Sequence, residues 1–235
     1  MPHSSNLPTT RDLTILLLAL AGAGVDVVVI MGFNVLTAAQ TGNTILFSAA
    51  IAREDFETGL KAAVSVANYI IGTACAESII IRHPDSRPGF SGISRTLSAE
   101  IFLLGVLFLY CYMVGIPHLH TTFLPISLAA AAMGIQSATV KHIQNGPTTT
   151  YITGVLTSFT TAMIRRLMAP KITSSSETTG GHARTEDSLL QFGLVWTTYV
   201  AGAITSGYVY WRAGEIALLM PLCAVMAAIT LNRRR

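Results

Sequence analysis

The sequence predicts an all-α, polytopic integral membrane protein with about six transmembrane helices, two short broken or re-entrant Thr-Gly segments, and two halves related as a pseudo-repeat. Three observations carry that prediction. Of 235 residues, 51% are hydrophobic and only 11% charged, whereas soluble domains carry about 25% charged residues. So few charges cannot cover a water-facing surface. Apolar runs fall at 13–31, 60–81, 97–116, 122–140, 150–168, 190–210 and 214–231, most of them near the roughly 20 residues that a bilayer crossing needs. Finally, a Thr-Gly element followed by a short apolar helix occurs twice, at Thr41-Gly42 and at Thr153-Gly154.

One membrane domain accounts for the chain. Residues 1–12 are rich in Ser, Thr and Pro and are expected to be disordered. The first half covers 13–116 and the second 117–235, with a flexible hydrophilic insertion at 171–188. The apolar stretch from Leu13 runs far past the length of a cleaved leader, so it is read as retained. Cys75, Cys111 and Cys223 all lie in spans and read as packing residues rather than a disulfide framework. The net charge of +3 is concentrated in loops, which points to membrane topology and to no nucleic-acid partner. The expected partner is the lipid bilayer.

Asp26 is the only ionisable residue between Leu13 and Ala52. A carboxylate at that depth costs about 2.5–3.5 kcal/mol on insertion scales, so it must face a protein or water interior. It reads either as a group handling substrate or protons, or as a carboxyl that fixes helix packing. Residues 13–52 as one helix would reach about 60 Å, twice the hydrocarbon thickness, so the chain must break. Gly32, Asn34, Gly42 and Asn43 put the break at 32–43. The helix after it is too short to cross alone and is read as a half-helix whose N-terminus points into the protein.

Arg53, Glu54, Asp55 and Glu57 form a charged loop before the next span, and residues 82–96 form an Arg-, Pro- and Gly-containing loop. Tyr110 and Tyr112 then mark an interface at the end of the 97–116 run. His118 and His120 make an incomplete ligand set, and no metal or cofactor is expected. The Ala- and Gly-rich run to Val140 contains Met133-Gly134-Ile135-Gln136 and ends in a polar break at 141–147. Trp196, Tyr199, Tyr208, Tyr210 and Trp211 decorate the seventh run, and Arg233, Arg234 and Arg235 close the chain.

Lys and Arg placement discriminates two topologies. With both Thr-Gly segments crossing, ten cations fall on the N-terminal side and five opposite. With both re-entrant, Arg53, Lys61 and Arg212 alone face the other side, three against twelve. The positive-inside rule favours the second, with six passes, three-plus-three inverted halves and both termini cytosolic.

Gly24-Val25-Asp26, Thr41-Gly42-Asn43-Thr44, Met133-Gly134-Ile135-Gln136, and the run Thr150-Tyr151-Ile152-Thr153-Gly154-Val155-Leu156-Thr157 together resemble, in order, the YoaK-like family. This is a domain-of-unknown-function family of bacterial and fungal multi-pass membrane proteins. Gln40 stands where that family often has Met, and Val155 stands where the first copy has Asn43, so the two halves differ chemically. The resemblance implies a membrane location and assigns no activity.

The residues point to a small-solute transporter or permease-like protein, with Asp26, Thr41, Gly42, Asn43, Gln136, Thr153 and Gly154 converging on a central polar site for a small polar or anionic solute. The alternative is a non-transporting scaffold or accessory protein whose Thr-Gly elements serve helix packing. An enzyme is not expected. No HExxH, GxSxG or carboxylate pair occurs, and Ser48 and Ser137 lack a nearby His base.

Overall fold

A computed structural model of the protein describes residues 9–83, 92–114, 122–144, 152–168 and 179–233. The described residues are helical throughout, with no strand among them. The order is α1 (Thr10–Phe33), α2 (Gln40–Ala52), α3 (Phe56–Arg82), α4 (Gly92–Val114), α5 (Phe123–Gln144), α6 (Ile152–Met168), α7 (Thr179–Ala213), a 3-10 turn (Gly214–Leu218) and α8 (Leu219–Arg233). Five stretches are long and apolar enough to cross a membrane: Thr10–Phe33, Phe56–Arg82, Gly92–Val114, Phe123–Ile143 and Leu190–Asn232. The last spans 43 residues, too long for one straight crossing at about 1.5 Å per residue. It is broken at Gly214, whose φ of 59° a side chain would resist.

Local chemistry sets the helix ends. Thr9 and Asp12 form a reciprocal capping box, so α1 starts at Thr10 inside the segment expected to be disordered; residues 1–8 lie outside the described residues. Asn34 adopts the left-handed conformation at φ 60° and donates its amide to the Ile30 carbonyl, which ends α1 at the expected break. Asp55 caps α3 by accepting from the Thr58 amide at 3.1 Å, and these Thr58 bonds hold its carboxyl below the usual carboxylate range. α3 therefore starts at Phe56, before the expected apolar run. Likewise α4 starts at Gly92, within the expected 82–96 loop, and α5 continues to Gln144, through half of the expected polar break. α7 begins at Thr179, so the second part of the 171–188 insertion is helical; residues 171–178 lie outside the described residues, as do His118, His120 and Thr150.

The bundle is built around α1 and α5. In their most apolar stretches 67% and 72% of residues are buried, against 17% for α3. The outer helices turn large apolar side chains such as Ile70, Ile71, Phe102, Leu109, Ile204 and Trp211 outward, as a hydrocarbon surrounding requires.

Helix directions follow from contact order. Leu20 packs on Gly202 and Val27 on Gly207, with Asp12 bonded to Gln191, so α1 and α7 run parallel. Asn68–Ser127, Gly72–Ala131 and Glu77–His142 make α3 and α5 parallel. Gln136 reaches Leu18 while Met133 lies by Gly22, which makes α1 and α5 antiparallel. Asn43–Ser65 and Ala50–Gly59 make α2 antiparallel to α3. α1 and α2 thus point the same way and α3 points back. Between α1 and α2 the chain runs through residues 34–39, of which Val35, Thr37 and Ala38 are buried.

The seam between α3 and α5 is a backbone-to-backbone contact. A Cβ on Gly72 would overlap the Ala131 carbonyl, and one on Gly134 would overlap the Tyr69 carbonyl. Small residues that let backbones touch are the means of helix association in lipid, where apolar surface gives no drive of its own. Gly72→Ala and Gly134→Ala are each expected to cost roughly 1–3 kcal/mol or more by forced separation of the helices. Gly105, with open space around its would-be Cβ, is the control, and Gly105→Ala should leave the protein as stable or slightly more so. Thermal unfolding in detergent or nanodiscs reads both.

Candidate functional site

The loop between α1 and α2 is folded into the protein by two polar clamps. Asp26 supplies the first. Its Oδ1 accepts from the Thr37 amide at 2.7 Å, the Ala38 amide at 2.7 Å and the Thr37 hydroxyl at 2.9 Å, and the Ala39 amide points to the same carboxylate. These amides belong to the loop just before α2, where no helical ladder provides them with acceptors. A carboxylate there also sits against the positive end of the helix. Asp26 is 3% exposed and Thr37 fully buried, so the anion is held by donors rather than by water.

Asn43 supplies the second clamp from the first turn of α2. Its Oδ1 accepts from the Leu36 amide at 2.9 Å, and its Nδ2 donates to the Leu36 carbonyl and to Gln40 Oε1. Ser65 on α3 donates to the same Leu36 carbonyl at 2.7 Å and lies 2.9 Å from Asn43 Nδ2. Gln40 donates to the Thr37 carbonyl at 2.7 Å. A Cβ on Gly42 would run into the Leu36 side chain, so the glycine lets the loop lie flat on the helix start. Thr41 is exposed.

Beside these satisfied groups are acceptors with no donor. Asp26 Oδ2 is buried and unpaired. The Tyr199 hydroxyl of α7 faces that carboxylate. Gln136 is fully buried on α5; its Nε2 donates to the Leu18 carbonyl at 2.7 Å and its Oε1 has no partner. Gln136 lies against Gly22, one turn before Asp26 on α1.

Asp26, Gly42 and Asn43 therefore sit in one cluster, and Gln136 lies one turn of α1 from it. Among the described residues, neither Thr153 nor Gly154 is hydrogen-bonded to that cluster. Thr153 is exposed and Gly154 half-buried, while the adjacent Val155 packs with Ile15 and Ala19 of α1 and Val195 of α7. Ser65 and Tyr199 join the cluster without having been expected there, while Gln40, from the polar stretch 37–44, bonds within it. The described residues contain no grouping of three His, Cys, Asp or Glu that would hold a metal ion.

The family model described as protein of unknown function (DUF1275) matches residues 13–231. The chain belongs to the DUF1275 family. No curated protein and no solved structure matches it. In this DUF1275 protein the Gly24-Val25-Asp26 and Gly134-Ile135-Gln136 triplets lie on the two central helices, each with its glycine against a neighbouring helix: Gly24 on Ser206 of α7, and Gly134 on Tyr69 of α3.

The clamps give a stability prediction. Asp26→Ala orphans three buried donors, each worth roughly 1–3 kcal/mol when left unmet, so it should destabilise strongly. Asp26→Asn keeps the Oδ1 acceptor and should cost much less. Asn43→Ala should cost about 1–3 kcal/mol by stranding the Leu36 amide. The measurement is thermal unfolding, paired with protease susceptibility of the 34–39 loop.

Proposed function

We propose that the protein is a transporter or permease-type membrane protein built from two inverted halves, handling a small solute that donates hydrogen bonds. The observation that carries this reading is Asp26. One of its oxygens anchors a half-helix start inside the bundle, and the other is left open at the same point. Paired broken helices with polar groups near mid-membrane are the layout of many secondary transporters.

The packing pattern supports the repeat. α1 packs on α7 and α5 on α3; α1 packs on α8 and α5 on α4; α2 packs on α3 and α6 on α7. Exchanging the first four helices for the second four maps each of these pairs onto another. Under that exchange Asp26 corresponds to Gln136. The antiparallel course of α1 and α5 makes the halves inverted, and the return of α3 makes α2 re-entrant, which gives six passes. Twelve of the fifteen cations then fall on the side of the termini, the cytosolic side.

The open groups favour one class of solute. Asp26 Oδ2 and Gln136 Oε1 are acceptors, whereas the Thr37 and Ala38 amides just before α2 are occupied by Asp26 itself. An anionic solute would have to displace that carboxylate, so a protonated amine or a neutral polyol fits better. A scaffold reading has its own support in the Gly72 and Gly134 contacts and in the inward hydrogen bonding of Asn43.

Counterflow in proteoliposomes separates the two. With methylammonium, putrescine, glucose and phosphate as probes, an amine or the sugar is expected to exchange above the empty-liposome level. Asp26→Asn is expected to lower that exchange at least about tenfold, equivalent to 1.4 kcal/mol, while retaining the fold. Exchange of none of the probes, with Asp26→Asn as stable as wild type, favours the scaffold. The topology has a separate test. A cysteine at Glu54 should react only with reagent applied opposite the termini, and one at His83 only with reagent applied on their side. Labelling of both from one side would exclude the six-pass arrangement.

A further inference from the structure

Glu100 on α4 has no place in the Asp26 cluster, yet it is fully buried with neither carboxyl oxygen hydrogen-bonded. Leu97 and Leu104, also buried, flank it along the helix. One turn earlier, the Thr139 hydroxyl of α5 donates to that of Thr96 at 2.8 Å. Ala99 and Leu103 of α4 join the cluster of Ala76, Ile135 and Ala138, so this part of α4 packs on α3 and α5.

No described cation reaches Glu100 from the elements packed on α4, which are α3, α5, α8 and the 3-10 turn. On α3, Lys61 pairs with Glu57, Glu77 pairs with His142 of α5, and Arg82 is exposed. Lys141 on α5 is exposed. Glu215 in the 3-10 turn acts on Cys111 and Tyr210, and Cys75 and Cys223 are exposed. An ionised carboxylate without donor or counter-ion is not sustainable in a dry interior; such a group takes up a proton.

We propose that Glu100 is the proton-binding site of this protein, loaded in the conformation described here. Loading joins a proton from water to a carboxylate oxygen; release returns it to water once the α4–α5 seam opens. The carboxyl can lose its proton only when water or a donor reaches it, which ties proton occupancy to helix separation. A role in coupling solute movement to protons rests on the transport reading above; proton binding itself does not.

Two measurements on the full chain test this. Infrared spectroscopy in nanodiscs at neutral pH should show a protonated-carboxyl carbonyl band that is lost in Glu100→Gln and kept in Asp26→Asn. A band unchanged in Glu100→Gln overturns the proposal. In proteoliposomes, Glu100→Gln should retain methylammonium counterflow but lose accumulation driven by a pH gradient, with recovery in Glu100→Asp. Gradient-driven accumulation retained in Glu100→Gln overturns the coupling role. If wild type moves no probe while the band behaves as expected, the transport reading fails and the proton site stands. The Gln variant is nearly isosteric, and a thermal transition at or above that of wild type confirms its fold.

Discussion

Asp26 Oδ1 is the fixed point of the first half of the bundle. The chain leaves α1 at Asn34 and has six residues in which to turn back before α2 begins at Gln40. Those residues carry amides and carbonyls that lipid cannot satisfy, and each unmet group costs several kcal/mol. A carboxylate seven residues back on α1 meets three of the donors, and Asn43 with Ser65 meets the groups of Leu36. The direction of α2 and its antiparallel seat on α3 depend on this fold-back. So does the position of the Arg53–Asp55 turn, where Glu54 takes the left-handed conformation at φ 59°.

The central pair α1 and α5 bears the asymmetry between the halves. In α1 the third residue of the Gly-Val-Asp triplet is an acid that captures a loop of its own half. In α5 the third residue of the Gly-Ile-Gln triplet, Gln136, instead donates across the bundle to the Leu18 carbonyl. An amide can donate to a main-chain carbonyl and an ionised acid cannot, so the substitution changes which backbone group is bound. The first half thereby gains an internal tether, and the second half gains a link between the two central helices.

Much of this was legible in the sequence because it follows from one-dimensional quantities. The apolar runs became helices, and the need to break within 13–52 was met at Phe33 and Asn34, where Gly32 and Asn34 weaken the helix. Asp26 was visible as the lone acid in a long apolar stretch. Its pairing with the loop was not, because two of the three bonds come from the Thr37 and Ala38 amides, which every residue but proline possesses. Ser65 looked like any small lipid-helix residue, and Tyr199 like one more interfacial aromatic. Glu100 escaped notice because it lies near the start of its apolar run, close to the charged 82–96 segment, where a carboxylate reads as solvated. Only the packing of α5, α8 and the 3-10 turn around α4 encloses it. Thr153 and Gly154 resemble Thr41 and Gly42 by letter, but α6 meets the bundle near Ile15 and Ala19, away from the Asp26 clamp.

The two buried acids divide the electrostatic task by their surroundings. Asp26 meets three fixed donors through one oxygen, so its removal would release a loop. Glu100 has no donor, so its charge is incompatible with the packed state and appears only on opening. The first acid stabilises one arrangement of the chain; the second penalises that arrangement whenever its proton leaves. Charge on Glu100 would therefore act on the contact of α4 with its neighbours, while Asp26 holds the 34–39 loop from α1.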